Sequence, residues 1–532
     1  MKRTAALLFF FVALNAFAQV TPFSLSKVVI REPFIPSSPI LPVPGSKLNY
    51  TQVMFEHPVT EKAVYYVVNV FSVNGKDTVP FVSVTDSTNA TMISGFGFGK
   101  EYAWNYVSTG AKKKKIATSP WYGFSILPLP EGSRIRVVKN DSAKTQGGLV
   151  SFDYAEVITG RDGKPVWFLP SSGKGDFVRD DEVRDLRISK AGTFTFITEK
   201  NAFEVSVDGR TMWKAPQNPR DTSQHYHHGF ERLPNGNFMV MGNHAVMRKV
   251  PGDSTYVRIV FGTVEEFDRS GKMVWKWEAE NYFTDADIFS RKTPDGKPDV
   301  STHMNAFSVD DSMHFVYAGF RDMSRIVKVD YRTGKAVQAY GKRMPSGEAK
   351  YANGFYWHQH DASIQPDGTI AVFDNDSIAD PGISSRVLIF SQPASPGDSC
   401  RIVWSFPCRF DSLSDGKSEK GGNIDLLPNG NYLINMGSLN RCIEVTKDGK
   451  VVWDVFEEGL APDKVTWGPF RQYRSHCYSS LYPCYFTSNI SGKISSTIPL
   501  VINNEGTESD SYIVECKQKD GTWMKVAGTQ QV

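Results

Sequence analysis

The chain has 532 residues, enough for two or three domains, and its 60 Lys and Arg against 57 Asp and Glu give a net charge of +3. A balance this even leaves no polyelectrolyte footprint, so nucleic acid is not an expected partner. Six cysteines, all after residue 399, suit an oxidising compartment but are too sparse to frame so long a chain.

The first residues, MKRTAALLFFFVALNAFAQV, place Lys2 and Arg3 before an apolar run and then Ala16-Phe17-Ala18. That order is expected of a secretory signal peptide over residues 1–18, giving an exported, periplasmic protein with no membrane span. Residues 22–48 are Pro/Ser-rich, and AVYYVVNVFSV, DTVPFVSVTD and GFGFGKEYAWNYVS then read as strands. A small N-terminal β-sandwich over 19–130 is expected, ending in the linker SILPLPEGS (125–133). The one basic cluster, Lys112 to Lys115, reads as a solvated turn.

From residue 131 onward the chain repeats. A turn followed by a strand occurs six times: TGRDGKPVWF, VSVDGRTMWK, FDRSGKMVWKW, VDYRTGKAVQAY, SPGDSCRIVWSF and VTKDGKVVWDV, with Trp at one place in five copies. Spacings of about 45 to 67 residues match four-stranded propeller blades with insertions, so the fold class expected is all-β, with a six-bladed β-propeller over 131–532. The tryptophans are expected to pack blades together.

A second hairpin alternates with the first: EVRDLRISKAGTFTFI, HHGFERLPNGNFMVM, THMNAFSVDDSMHFVY, HQHDASIQPDGTIAVF and GGNIDLLPNGNYLIN. Eight residues before its turn glycine, or before Asp311 in the third copy, stand Arg184, His228, His303, His360 and Gly422. An isolated histidine at a strand start is ordinarily structural, but three in consecutive copies are expected to converge at one mouth of the channel. Counting back along the partner strands brings Arg321 level with His303, His244 beside His228, and Asp374 to Asp376 beside His360. Three imidazoles can bind a metal. Arg321 points instead to an anion, because a guanidinium is always charged and only donates hydrogen bonds. Asn305, on the same strand face as His303, is expected to add a neutral donor.

Near the end, CYSSLYPC could close a short loop through Cys477 and Cys484, whereas the ends of CRIVWSFPC would lie roughly 25 Å apart as a strand, beyond disulfide reach. No Gly-rich phosphate loop precedes a helix, so no nucleotide cofactor is expected.

The segments HHGFERLPNGN, HMN with Arg321 eighteen residues after His303, QHDASIQPDG and YRSHCYSSLYP together resemble the bacterial PAPS-independent arylsulfotransferases. The resemblance implies an exported, homodimeric six-bladed propeller behind a small β domain that moves a sulfuryl group from an aryl sulfate donor to a phenolic acceptor. It further implies that His360 is the nucleophile of a ping-pong reaction through sulfohistidine, with His228, His303 and Arg321 catalytic and no metal. His227, Asn305 and Asp361 are expected substrate-side or supporting residues, with Asp361 or backbone fixing the tautomer of His360. One departure is Gly229, where many members carry an acidic residue; another is the final 45 residues, which are not matched and are expected to supply a ring-closing strand. The competing readings are a metal-dependent propeller lyase or hydrolase with a three-histidine site, and a non-catalytic ligand-binding propeller.

Overall fold

The computed structural model describes residues 40–170, 182–199, 201–217, 226–292, 300–310, 312–346, 354–375, 384–394, 398–412, 416–490 and 499–509, plus short strand segments at 10–11 and beyond 510. The expected leader at 1–18, Asp311 and Asp376 lie outside the residues whose surroundings are described. Among the described residues no helix is long and apolar enough to cross a membrane.

The structure is nearly all β, and its punctuation follows from the turn residues. Gly163, Gly192, Gly209, Gly236, Gly271, Gly368, Gly430 and Gly449 all have positive φ, a conformation that costs glycine little. In the same turns short polar side chains hold the backbone: Asp268 accepts from the amides of Ser270 (2.8 Å) and Lys272 (3.0 Å), and Asn235 accepts from that of Asn237 (3.0 Å).

Successive hairpins build a series of four-stranded antiparallel sheets. The second sheet runs Arg184–Ile188, Phe194–Ile197, Ala202–Val205, Thr211–Lys214, and the third Phe230–Arg232, Phe238–Lys249, Tyr256–Phe267, Met273–Glu278. The fourth runs Met304–Val309, Phe315–Phe320, Arg325–Asp330, Lys335–Gly341, and the fifth His360–Ile364, Ile370–Asp374, Arg386–Phe390, Ile402–Pro407. The first and last sheets borrow strands from distant sequence. Leu149–Phe152, Val157–Gly160 and Pro165–Phe168 are joined by Cys477–Tyr478, while Asn423–Leu426, Tyr432–Asn435, Arg441–Val445 and Val451–Leu460 are joined by Ser133–Asn140. The strand that completes the first sheet therefore comes before the last 45 residues, correcting the expectation placed on them.

The repeated tryptophans do what their position suggests, each touching the following sheet. Trp167 stacks on Phe194 (4.6 Å between centroids), Trp213 on Phe238 (4.1 Å), Trp275 on Tyr331 (5.1 Å) and Trp404 lies against Tyr432 (4.3 Å). Trp453, in the sixth sheet, donates to the carbonyl of Arg161 in the first (2.8 Å) under that residue's guanidinium.

Before residue 130, five strands lie in the order Lys47–Leu48, Tyr122–Ile126, Glu101–Thr109, Tyr65–Asn74, Asp77–Asp86, with Lys115–Thr118 also on Glu101–Thr109. Gln52–Glu56 pairs separately with Ala90–Ser94, and Phe55 packs edge-on to Trp104 (5.0 Å). Lys112 to Lys115 are exposed, as a solvated turn should be.

The cysteines depart from expectation. Cys477 and Cys484 are not joined; Cys477 instead accepts from the Arg161 guanidinium (3.4 Å), and Cys484 is buried.

Trp453 is fully buried and Trp121 is 56% exposed. Trp453→Ala is expected to lower the unfolding free energy by about 3–5 kcal/mol and Trp121→Ala by roughly 0.5 kcal/mol or less, read from denaturant midpoints.

Candidate functional site

The innermost strands begin with an unusual backbone. Asp185 (φ 56°), His228 (64°), His303 (45°), Asp361 (52°) and Gly422 (102°) all occupy the left-handed region where the chain enters its sheet. In the second, fourth and fifth sheets the register also slips just after this entry, a bulge that re-aims side chains. His360 precedes the left-handed residue of its strand, whereas His228 and His303 are that residue.

His228 and His360 come together on Tyr473, and His303 joins them through His228. The ring of His228 lies 5.5 Å from His303 and 5.7 Å from Tyr473, and His360 lies 5.9 Å from Tyr473. Tyr154 stacks on the same tyrosine at 6.3 Å, with Arg184 6.0 Å from its ring. Arg321 is level with His303 as counted, its amide donating to the His303 carbonyl (2.9 Å).

Hydrogen bonds fix the tautomers. The amide nitrogen of Asn375 donates to the carbonyls of Gly421 (2.9 Å) and Ser418 (3.2 Å), so its oxygen faces His360 and accepts from Nδ1 (2.7 Å). His360 therefore carries its proton on Nδ1 and a lone pair on Nε2. His227 Nε2 meets two acceptors, Asn243 Oδ1 (2.8 Å) and the Gly242 carbonyl (3.2 Å), so it donates there and its Nδ1 accepts from Nδ1 of His228 (2.6 Å). His303 Nδ1 faces Asp322 Oδ2 (3.3 Å), which also pairs with Arg321 through Oδ1 (2.7 Å). In all three central imidazoles Nδ1 is the engaged nitrogen and Nε2 is left bare.

Burial and neighbouring positive charge keep His227, His228 and His360 neutral. Burial pushes His360 down to about 3, reinforced by the positive fields of His303, Arg321 and Arg474 against the Asn375 bond. Burial likewise lowers His227 to about 4, and His228 falls well below the usual range through burial, then His227, His303 and His360. Burial opposes ionisation of Asp322, but His303 and Arg321 outweigh it and hold the carboxyl down to about 2. Among the described residues no three His, Cys, Asp or Glu side chains are arranged to hold a metal ion.

Several expected placements change. His244 is not beside His228: its strand continues past the rim, and Nδ1 lies 3.2 Å from Glu280, leaving Asn243 to meet His227. Asp361 does not touch the ring of His360 through a hydrogen bond; its carboxylate accepts from the amide of Ile424 in the next sheet (3.0 Å), and Asn375 fixes the tautomer instead. Asn305 is fully buried and donates from its amide to the Gln359 carbonyl (2.8 Å). At Gly229 a side chain would meet Met241 and Phe307 at 3.1–3.2 Å, and His227 is the neighbour that engages His228.

Asn243, Asp322, Asn375 and Tyr473 were missed as site residues. Asn375 sat inside the counted bracket 374–376 but was masked by its acidic neighbours, and Tyr473 comes from a segment with no repeat position. Arg184 had a signal, since it occupies the slot of the three histidines.

His360 is predicted to stay neutral, protonated on Nδ1 alone, from pH 8 to pH 5 in nitrogen-15 histidine spectra. An imidazolium signal for this residue near pH 6 would contradict the burial argument.

No curated protein sequence matches the chain. Solved structures that resemble it include a protein of unknown function from Bacteroides caccae (14% identity, covering 61% of this chain and 93% of that one, TM-score 0.35). A streptogramin B lyase (11%, 60% and 87%, TM-score 0.33) and the periplasmic gluconolactonase of Pseudomonas aeruginosa (10%, 82% and 99%, TM-score 0.29) are similarly distant. Likenesses this remote carry no argument about activity. Residues 134–385 match the family described as Arylsulfotransferase (ASST), a span that contains His227, His228, His303, Arg321, Asp322, His360 and Asn375. That match supports the arylsulfotransferase family for this part of the chain.

Proposed function

We propose that the protein is a PAPS-independent aryl-sulfate sulfotransferase that moves a sulfuryl group from a phenolic ester to an acceptor phenol by a ping-pong route through sulfohistidine at His360. The observation that carries the reading is the Asn375–His360 pair: a buried imidazole, neutral at working pH, with its proton locked on Nδ1 and its Nε2 lone pair free. Such a nitrogen attacks sulfur without a base to activate it.

In the first half-reaction Nε2 of His360 forms a bond to sulfur as the bond from sulfur to the aryl oxygen breaks, and the aryl oxygen leaves as phenolate, which takes its proton from solvent. In the second, an acceptor phenol loses its proton as its oxygen takes the sulfuryl group from His360. Arg321, with one guanidinium nitrogen on Asp322, has further donors for the sulfuryl oxygens. His228 and His303 present bare Nε2 atoms, suited to receive the acceptor's proton in the second half-reaction and pass it to solvent; His303 has the Asp322 carboxylate to balance a second ring proton.

The same reading takes the six sheets as blades of one propeller, with the region before residue 130 as a small β-sandwich. The contact of Trp453 with the first sheet and the strand exchange between chain ends support it. Export by the leader fits the family.

A chromogenic aryl sulfate with and without added phenol tests the activity. Phenol-stimulated release that falls by at least a thousandfold in His360→Ala is expected from loss of a covalent nucleophile. Activity retained in that variant would remove His360 from the mechanism.

A further inference from the structure

Tyr473 belongs to no repeat, yet His228 and His360 meet on its ring. Its backbone is pinned on both sides: the amide donates to Asp153 (3.1 Å), and the carbonyl accepts from Gly422 N (3.0 Å) and the Asn435 side chain (2.9 Å). The residue is 5% exposed, and its ring has His228 and His360 on it at 5.7 and 5.9 Å. Despite this, the hydroxyl has no hydrogen-bond partner among the described residues.

An unpaired buried hydroxyl costs about 1–3 kcal/mol, and phenylalanine would fill the same space without that cost. Apart from its arginines, the pocket is short of side-chain donors among the described residues. The tautomers leave His228, His303 and His360 presenting acceptor Nε2 atoms, and Asn305 is turned away toward Gln359. Arg321 is therefore the one side chain assigned to the sulfuryl oxygens that donates without first gaining a proton. A sulfuryl group brings three oxygens, and charge builds on them and on the aryl oxygen as the ester breaks.

We propose that the Tyr473 hydroxyl is a further catalytic residue of this site, donating a hydrogen bond to an oxygen of an oxyanion bound between His228 and His360. Burial holds this phenol up at about 12, so it keeps its proton throughout the working range. The hydroxyl is left unpaired by the protein because the ligand is its partner. The catalytic part of this statement rests on the sulfotransferase reading; the binding part does not.

The test compares wild type with Tyr473→Phe by three measurements: thermal unfolding, calorimetric binding of inorganic sulfate, and turnover of an aryl sulfate. The unfolding midpoint is expected to stay level or rise, because only an unpaired hydroxyl is lost. Sulfate affinity is expected to fall about tenfold to a hundredfold, the value of a hydrogen bond to a charged group, and kcat/KM for the aryl sulfate by at least as much. Unchanged sulfate affinity, no sulfate binding by wild type, or a variant that fails to fold would each overturn the proposal. Wild type that binds sulfate in a Tyr473-dependent way without turning over aryl sulfate would sustain the donor and refute the transferase. Equal turnover by the two proteins would do the reverse.

Discussion

The site depends on one backbone conformation repeated around the molecule. Asp185, His228, His303, Asp361 and Gly422 each enter an innermost strand with positive φ, which costs an L-residue other than glycine roughly 1–2 kcal/mol. The cost is met by what the conformation makes possible. Asp185 accepts from the amide of Phe230 in the next sheet (3.3 Å), Asp361 from Ile424 in the next (3.0 Å), and Asp153 from Asp185 (2.9 Å). These carboxylates form an inter-sheet belt beneath the rim, and His228 and His303 take the same entry positions on the sheets between. Gly422 shows the limiting case, since a Cβ there would lie 2.5 Å from Phe373.

The segment from Tyr473 to His476 turns that belt into a floor. Asp153 receives the amides of Tyr473 and Arg474, while Arg474 reaches Asp185 (3.3 Å) and the Asn305 carbonyl (3.0 Å). His476 bridges Asp185 and Asp425. The positive charges this packing buries below the pocket help keep His360 neutral. Structure and reactivity are thus coupled: the groups that hold the sheets together also set the protonation state of the proposed nucleophile. An imidazole depressed in this way is a weaker base than a free one, but it is never lost to protonation at working pH.

Much of this was legible in the sequence because it was written as a period. The turn glycines and tryptophans gave the sheets, and the slot shared by Arg184, His228, His303 and His360 gave the convergence. Arg321 was found by counting along a regular hairpin, which works where the ladder is regular. The same count placed His244 wrongly, since it cannot see that the strand Phe238–Lys249 runs beyond the rim. Orientation was the other blind spot. Asp361 and Asn305 lie next to the right residues, but bulges and left-handed entries turn one toward Ile424 and the other toward Gln359. Tyr473 opens the quoted segment YRSHCYSSLYP, but that segment does not repeat, so no count along a hairpin could place its ring beside His228 and His360.

The central claim is that His360 carries the sulfuryl group. The most direct measurement is to mix the protein with an aryl sulfate in the absence of acceptor phenol, quench without acid, and map the modified peptide by mass spectrometry. The account predicts one sulfuryl group on His360, removed on adding a phenol. A protein that turns over aryl sulfate while carrying the adduct elsewhere, or no adduct at all, would contradict it.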